Sequence, residues 1–135
     1  MDIRELDASH RDSVIALWEA CGLTRPWNDP VSDFNRAVTG TSSAVLGAFE
    51  GEVLVGTVMV GDDGHRGWVY YLASAPERHG DGIGRGLMAA AEEWLRDRGV
   101  PKVELMVRAS NSEVIGFYEH LGYSAEDVVV MARRL

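Results

Sequence analysis

Cysteine is almost missing: Cys21 stands alone among 135 residues. A single thiol excludes an internal disulfide framework and points to the cytoplasm. Long apolar runs are missing as well. Stretches such as Val53–Val60 fall far short of the roughly 20 residues that cross a bilayer. No apolar segment follows Met-Asp-Ile-Arg-Glu, so no secretory signal is expected. Positive charge is scarce, with 13 Lys and Arg against 21 Asp and Glu, a net charge of −8. An acidic surface repels phosphate backbones and anionic lipid, which argues against nucleic-acid and membrane partners and would attract a cationic substrate. No Cys or His cluster has metal-ligand spacing, so no metal is expected. Repeats, low-complexity tracts and linkers are absent too.

What is present is an average globular composition, 46% hydrophobic and 25% charged. A chain of this length fits one domain, residues 1–135, since single cores usually hold about 100–150 residues. Ile3–Leu6 reads as a first strand and about Ser9–Cys21 as a helix stopped by Gly22. Two prolines bracket Trp27-Asn28-Asp29, which makes that segment a loop, with Asp29 placed to cap a helix over Val31–Val38. Ala44–Phe49 and Val53–Val60 form a hairpin across Glu50-Gly51-Glu52. Trp68–Ala73 is a fourth strand, and a helix over about Arg85–Arg98 follows a glycine-rich turn. Lys102–Val107 reads as a strand, Ser112–Leu121 as a short helix, and Val128–Met131 as a last strand. The order β-α-α-β-β-β-α-β-α-β implies an α/β or α+β class with a mixed sheet flanked by helices.

The turn Gly80-Asp81-Gly82-Ile83-Gly84 carries the most chemistry. Glycines let backbone approach a ligand, and the free N–H groups of the helix that opens there bind anions, so a pyrophosphate across Gly80–Arg85 is the functional reading. A plain strand-to-helix turn is the alternative. A P-loop would need Gly-Lys-Ser/Thr, and Gly84-Arg85-Gly86 stands instead. A dinucleotide site would need an acid closing the next strand, and Val107-Arg108-Ala109 closes it.

Ala75-Pro76-Glu77-Arg78-His79-Gly80-Asp81-Gly82-Ile83-Gly84 resembles the pyrophosphate motif of the Gcn5-related N-acetyltransferase (GNAT) family, Arg/Gln-x-x-Gly-x-Gly/Ala, aligned on His79, Gly82 and Gly84. A second block, Asn111 through Phe117-Tyr118 to Gly122-Tyr123, is similar to the family's Asn…Phe-Tyr-x-x-x-Gly-Phe/Tyr ending. Arg25–Pro30 and Asp63–Gly67 further resemble a small bacterial subgroup, the YpeA-type acetyltransferases. His79 stands where the family has Arg or Gln, and Asp81 where a basic residue is frequent. Arg78 and Arg85 flank the turn and can supply positive charge.

The resemblance implies an acyl-CoA acyltransferase fold and direct acetyl transfer from acetyl-CoA to an amine of a small molecule, peptide or protein. It places the oxyanion donor on the backbone around Leu72, Ala73 and Ser74, and coenzyme A also near Asn111 and Phe117. It gives Tyr118 the role of general acid towards the departing thiolate; packing in the core is the alternative for that ring. Glu104 is a candidate base, and a solvated strand carboxylate otherwise. Arg25, Trp27, Asn28, Asp29, Asp63, His65, Arg66 and Tyr71 would line the acceptor side, unless the loop charges pair with one another and hold the loops together. Tyr70 and Tyr71 alternate along a strand, so one should pack inward. A homodimer through edge strands is plausible for the family. The rival to an enzyme is a non-catalytic acyl-CoA-binding or sensing module on the same scaffold.

Overall fold

The computed structural model describes residues 1–135, which fall into two compact units, Met1–Leu105 and Met106–Leu135. The first contains strands β1 (Asp2–Glu5), β2 (Ser43–Glu50), β3 (Val53–Asp62), β4 (Gly67–Ser74) and β5 (Val103–Glu104), with helices α1 (Arg11–Ala20), α2 (Pro30–Thr39) and α3 (Ile83–Arg96). The strands lie side by side in the order β1-β2-β3-β4-β5. The first three pairings are antiparallel and the last is parallel. This is the mixed α/β architecture that the element order implied.

Local chemistry sets the helix boundaries. Asp29 accepts from the amides of Val31 and Ser32 at 3.1 and 3.3 Å, and Pro30 takes the first helical position, so α2 starts where a capped helix should. Helix α3 begins two residues earlier than expected. Gly82 adopts φ +78° ahead of it, a left-handed conformation open to glycine, and the turn reverses there directly into Ile83. Gly51 at φ +59° makes the β2–β3 hairpin in the same way.

Two neighbouring residues of β3 show how the layers are arranged. A Cβ at Gly56 would meet Ile83 and Leu87 of α3, whereas the next side chain, Thr57, receives a hydrogen bond from Trp18 of α1. Successive strand residues face opposite ways, so α3 covers one face of the sheet and α1 the other. Phe34 of α2 meets Trp18 edge-on at 6.3 Å, which adds α2 to the α1 layer. Trp18, Phe34, Leu87, Met88, Val45, Val55, Val58 and Val60 are buried in the two layers between helices and sheet.

Strand β4 is irregular. Thr57 lies opposite Ala73 but Met59 lies opposite Tyr70, so Tyr71 and Leu72 together face the single residue Val58. Tyr71 occupies φ +52°, unusual for an aromatic residue and costing roughly 1–2 kcal/mol. This bulge corrects the expected alternation of Tyr70 and Tyr71. Tyr70 shares the face of Met59, and the Tyr71 ring stacks on Trp18, so both turn towards the α1 side. Strand β5 is also shorter than Lys102–Val107. It pairs with β4 only at Gly67 and Trp68, and the ladder ends before the bulge.

The second unit contains one helix, α4 (Ser112–His120). Asn111 caps it, accepting from Val114 N–H at 3.3 Å. Gly122 at φ +97° ends it, and the Tyr123 amide returns to the Tyr118 carbonyl at 3.0 Å. The strand expected over Val128–Met131 does not form. This unit has no other strand with which it could pair, and these four residues are 61–90% exposed. No helix of the chain is long and apolar enough to cross a membrane.

The close approach at Gly56 has a measurable consequence. A Cβ there would sit 2.5 Å from Ile83 Cγ2, 2.8 Å from Leu87 Cδ1 and 2.9 Å from the Ala73 carbonyl. Gly56→Ala is therefore expected to destabilise the protein by about 1–3 kcal/mol through overpacking. Urea unfolding checks this, and an unchanged midpoint would show that α3 shifts freely.

Candidate acyl-donor site

The end of β4 is tied back to the sheet by the Ala75 amide, which donates to the Val55 carbonyl at 2.8 Å. The chain then makes a single 3-10 turn, Pro76–Arg78, and enters Gly80 at φ +90° and Gly82 at φ +78°. A Cβ at either glycine would meet nothing within 4 Å. These two glycines are needed for their backbone conformation, and the surface above them is open. The first carbonyl of α3 to be used is that of Gly82, which accepts from Gly86 N–H at 3.0 Å. The amides of Ile83, Gly84 and Arg85 precede that bond, so the helix offers them no carbonyl. Open backbone donors at the positive end of a helix attract an anion.

The side chains around this turn play unequal parts. Ile83 is 2% exposed and packs on Gly56, so only its backbone faces outward chemistry. His79, Asp81 and Arg85 are exposed. Arg78 bonds Glu50 at 2.6 Å and lies 3.9 Å from Asp81. Arg78, one of the two arginines flanking the turn, is thus held by two carboxylates and fixes the turn to the end of β2, while Arg85 is exposed. Just upstream, Leu72 and Ser74 are half-buried and Ala73 is buried. The Ser74 carbonyl accepts from the Cys21 thiol at 3.2 Å, and burial pushes that thiol above its ordinary pKa.

In the second unit Tyr118 is 9% exposed, with Phe117 and Tyr123 edge-on at 5.1 and 5.7 Å. Burial raises its phenol to about 12. Asn111 spends its side chain on the cap of the same helix, and Phe117 is half-buried.

The family model for the acetyltransferase (GNAT) family matches residues 5–123, through the glycine turn and the Tyr118 block alike. The chain belongs to the GNAT family. It is an acyltransferase of that family, and its relatives bear the same name. An acetyltransferase of Yersinia enterocolitica is 43% identical over all 135 residues, which cover 96% of that protein. An acetyltransferase of Pectobacterium atrosepticum is 44% identical over the same span and coverage. Among solved structures, AAC(6')-Iy in complex with the bisubstrate analogue CoA-S-monomethyl-acetylneamine aligns with a TM-score of 0.85 at 17% identity, over 99% of this chain and 97% of that one. A putative acetyltransferase from Agrobacterium tumefaciens aligns at 0.84 and 17%, over 99% and 100%.

The GNAT chain's proposed acceptor residues are largely engaged in local structure. Arg25 donates to the carbonyls of Gly22 and Thr24 at 2.6 and 2.9 Å, and the Asn28 amide closes the same loop on Arg25. Asp29 is the α2 cap and also accepts from the Ser32 hydroxyl at 2.9 Å. Asp63 accepts from the amides of His65 and Arg66 at 2.8 and 2.7 Å and from the Trp68 indole at 3.1 Å. Arg66 lies 3.7 Å from Glu104. Trp27 is 51% exposed, and Asn28 and His65 are exposed. Tyr71 donates to Asp33 at 2.7 Å. The residues missed at the sequence level are those that hold others in place: Glu50 on Arg78, and Trp18, Thr57 and Asp33 on Tyr71. Only the bulge, a matter of register, brings the latter three together.

The bonds to Asp29 and Asp63 give a pH signature. The Ser32 hydroxyl and amide on Asp29, and the Arg66 and His65 amides on Asp63, stabilise the charged carboxylates and lower both pKa values below the ordinary 3.8. A lowered folded pKa means that these bonds contribute stability above the unfolded value and lose it as pH falls through the folded value. Carboxyl NMR titration is expected to place both midpoints below 3.8. A midpoint at or above 3.8 for Asp63 would mean that its three bonds do not persist in solution.

Proposed function

We propose that the chain transfers an acetyl group from acetyl-CoA directly to a primary amine, with both compact units serving one acetyltransferase domain. The observation that carries this is the open N-terminus of α3 behind a turn whose glycines are required by backbone conformation, inside a GNAT-family match that runs through both units. The pyrophosphate of coenzyme A is read onto the amides of Ile83, Gly84 and Arg85, with Gly80–Gly82 leaving the approach clear. Because Arg78 is shared between Glu50 and Asp81, the backbone dipoles and the exposed Arg85 are what the turn offers a pyrophosphate.

In the reaction the amine nitrogen attacks the thioester carbon, and a C–N bond forms as the carbonyl becomes an oxyanion. Backbone N–H groups around Leu72–Ser74 stabilise that charge. The C–S bond then breaks and the sulfur leaves with the electron pair. Tyr118 is read as the group that meets it. A phenol raised to about 12 remains protonated across the working range and can always donate a hydrogen bond. Complete transfer to a thiolate whose conjugate acid lies near 8.5 would run uphill by roughly 3.5 pKa units. Tyr118 therefore acts chiefly as a hydrogen-bond donor to the developing thiolate; the nitrogen, which enters as the neutral amine, gives up its extra proton to solvent, and the sulfur takes one from solvent as coenzyme A departs. Glu104 faces the Arg66 guanidinium at 3.7 Å, so its carboxylate is engaged within the protein. The acceptor is read as an amine of a small molecule or peptide, met on the side of the Trp27 and His65 loops. A cytoplasmic setting accords with the lone thiol.

Two variants test the assignment. Gly84→Val is expected to abolish coenzyme A binding by calorimetry while circular dichroism stays native; unchanged affinity in the folded variant would remove the pyrophosphate from this turn. Tyr118→Phe is expected to lower kcat by about 10²-fold, the loss of one transition-state donor, with the Kd of coenzyme A unchanged. The pH profile of wild-type kcat should show no descending limb below about pH 11 that Tyr118→Phe removes, because the folded phenol loses its proton only near 12. Wild-type turnover in the Phe variant would make the ring a packing residue. Coenzyme A binding with no amine-dependent thiol release, over a panel of primary amines, would instead favour a non-catalytic binding module.

A further inference from the structure

Tyr71 is the one non-glycine residue with a positive φ, and its carbonyl, ring and phenol are all held. Its carbonyl accepts from the Thr57 hydroxyl at 3.1 Å. That hydroxyl accepts in turn from the Trp18 indole N–H at 2.9 Å, so one buried oxygen is both donor and acceptor in a chain. The Tyr71 ring lies flat on Trp18, with 3.8 Å between centroids and 11° between planes. Its phenol donates to Asp33 at 2.7 Å, and Asp33 pairs with Arg36 at 2.8 Å. Helices α1 and α2 and strand β3 thus converge on one residue of β4.

Apolar packing does not explain this convergence. Thr57 is 0% exposed, and Val55 and Met59 flank it on its own face of β3, so a valine of the same size would suit a purely apolar site. The hydroxyl is kept for its two bonds. Without them the strand could relieve the positive φ at Tyr71 by returning to a regular pleat. Leu72 would then join the ladder, the register would slip on one side of the former bulge, and Tyr70 and Tyr71 could no longer share a face. The backbone at risk is the stretch from which the acetyl-transfer reading draws its oxyanion donors.

Resting on that reading, we propose that Thr57, backed by Trp18 and Asp33, is a positioning residue for the reaction: it locks the Tyr71–Leu72 bulge so that backbone N–H groups at the end of β4 stay available to the acetyl oxygen. Oxyanion donors stabilise charge only when they are held in place beforehand. Thr57 touches no reacting atom and works through the carbonyl of Tyr71.

The test compares full-length wild type with Thr57→Val and Thr57→Ser. Three quantities are read: the Kd of coenzyme A and of acetyl-CoA, thiol release over a panel of primary amines, and the Leu72 amide resonance with each of the two compounds. In Thr57→Val, coenzyme A is expected to bind with wild-type affinity while kcat falls by about tenfold or more. The Leu72 shift that separates acetyl-CoA from coenzyme A is expected to vanish, and Thr57→Ser to restore both. Should Thr57→Val fail to fold, Tyr71→Phe, which removes only the bond to Asp33, is read by the same two signals. Retention of kcat and of the acetyl-specific shift, with only the melting temperature lowered, would overturn the proposal and leave Thr57 a structural residue. If wild type itself binds no coenzyme A, the acetyl-transfer reading fails first, and the two failures are thereby told apart.

Discussion

The donor side of this protein depends on how closely α3 lies against the sheet. Gly56 receives Ile83 and Leu87 near the start of the helix, and Gly67 receives Leu95 near its end, where a Cβ would stand 2.5 Å from Leu95 Cδ1. With a side chain at neither position, the helix settles onto β3 and β4 and buries Leu87, Met88 and Ala91 between them. Dispersion and apolar burial hold such a contact only at close range. The same contact decides where the first turn of α3 ends up, just beyond the last residues of β4. The strand backbone that would meet an acetyl oxygen and the helix amides that would meet a pyrophosphate are therefore parts of one rigid β–turn–α piece.

Charge is used sparingly on that piece. The chain carries eight more acidic than basic groups, and one of the two arginines flanking the turn, Arg78, is occupied by Glu50 and Asp81. What remains for an anion, beside the exposed Arg85, is the row of amides that follows a left-handed Gly82. Such donors are fixed by the fold, carry no side-chain entropy and do not titrate. The acidic residues elsewhere serve a different purpose. Asp29 collects three hydrogen bonds from the first turn of α2, and Asp63 three from its own loop and Trp68 of β4, so charges that look like recognition groups in a string of letters are here used as a cap and a turn lock.

Much of this was legible in the residues, for reasons that differ from element to element. Helix α2 was readable because its cap, Asp29, and its first-turn proline act locally. The glycine turn was readable because positive φ needs glycine, whatever lies around it. Strand β5 and the expected strand at Val128–Met131 were misjudged because apolar alternation gives a strand only when a partner is in register, and the partner is a tertiary fact. The bulge was hidden for the same reason. Nothing in Tyr70-Tyr71-Leu72 announces that two residues face Val58, and so the roles of Trp18, Thr57 and Asp33 could not be read in advance. The loop acids were ambiguous by nature, since a cap and a ligand use the same carboxylate.

The central claim is that a pyrophosphate is held by the amides that open α3. The most direct measurement compares coenzyme A with pantetheine, which keeps the thiol arm and lacks the nucleotide and pyrophosphate, by calorimetry on the intact chain. Tight binding of coenzyme A with little or none of pantetheine is the predicted result, accompanied by amide shifts at Ile83, Gly84 and Arg85. Equal affinities, or coenzyme A binding that leaves those three amides unmoved, would contradict the account.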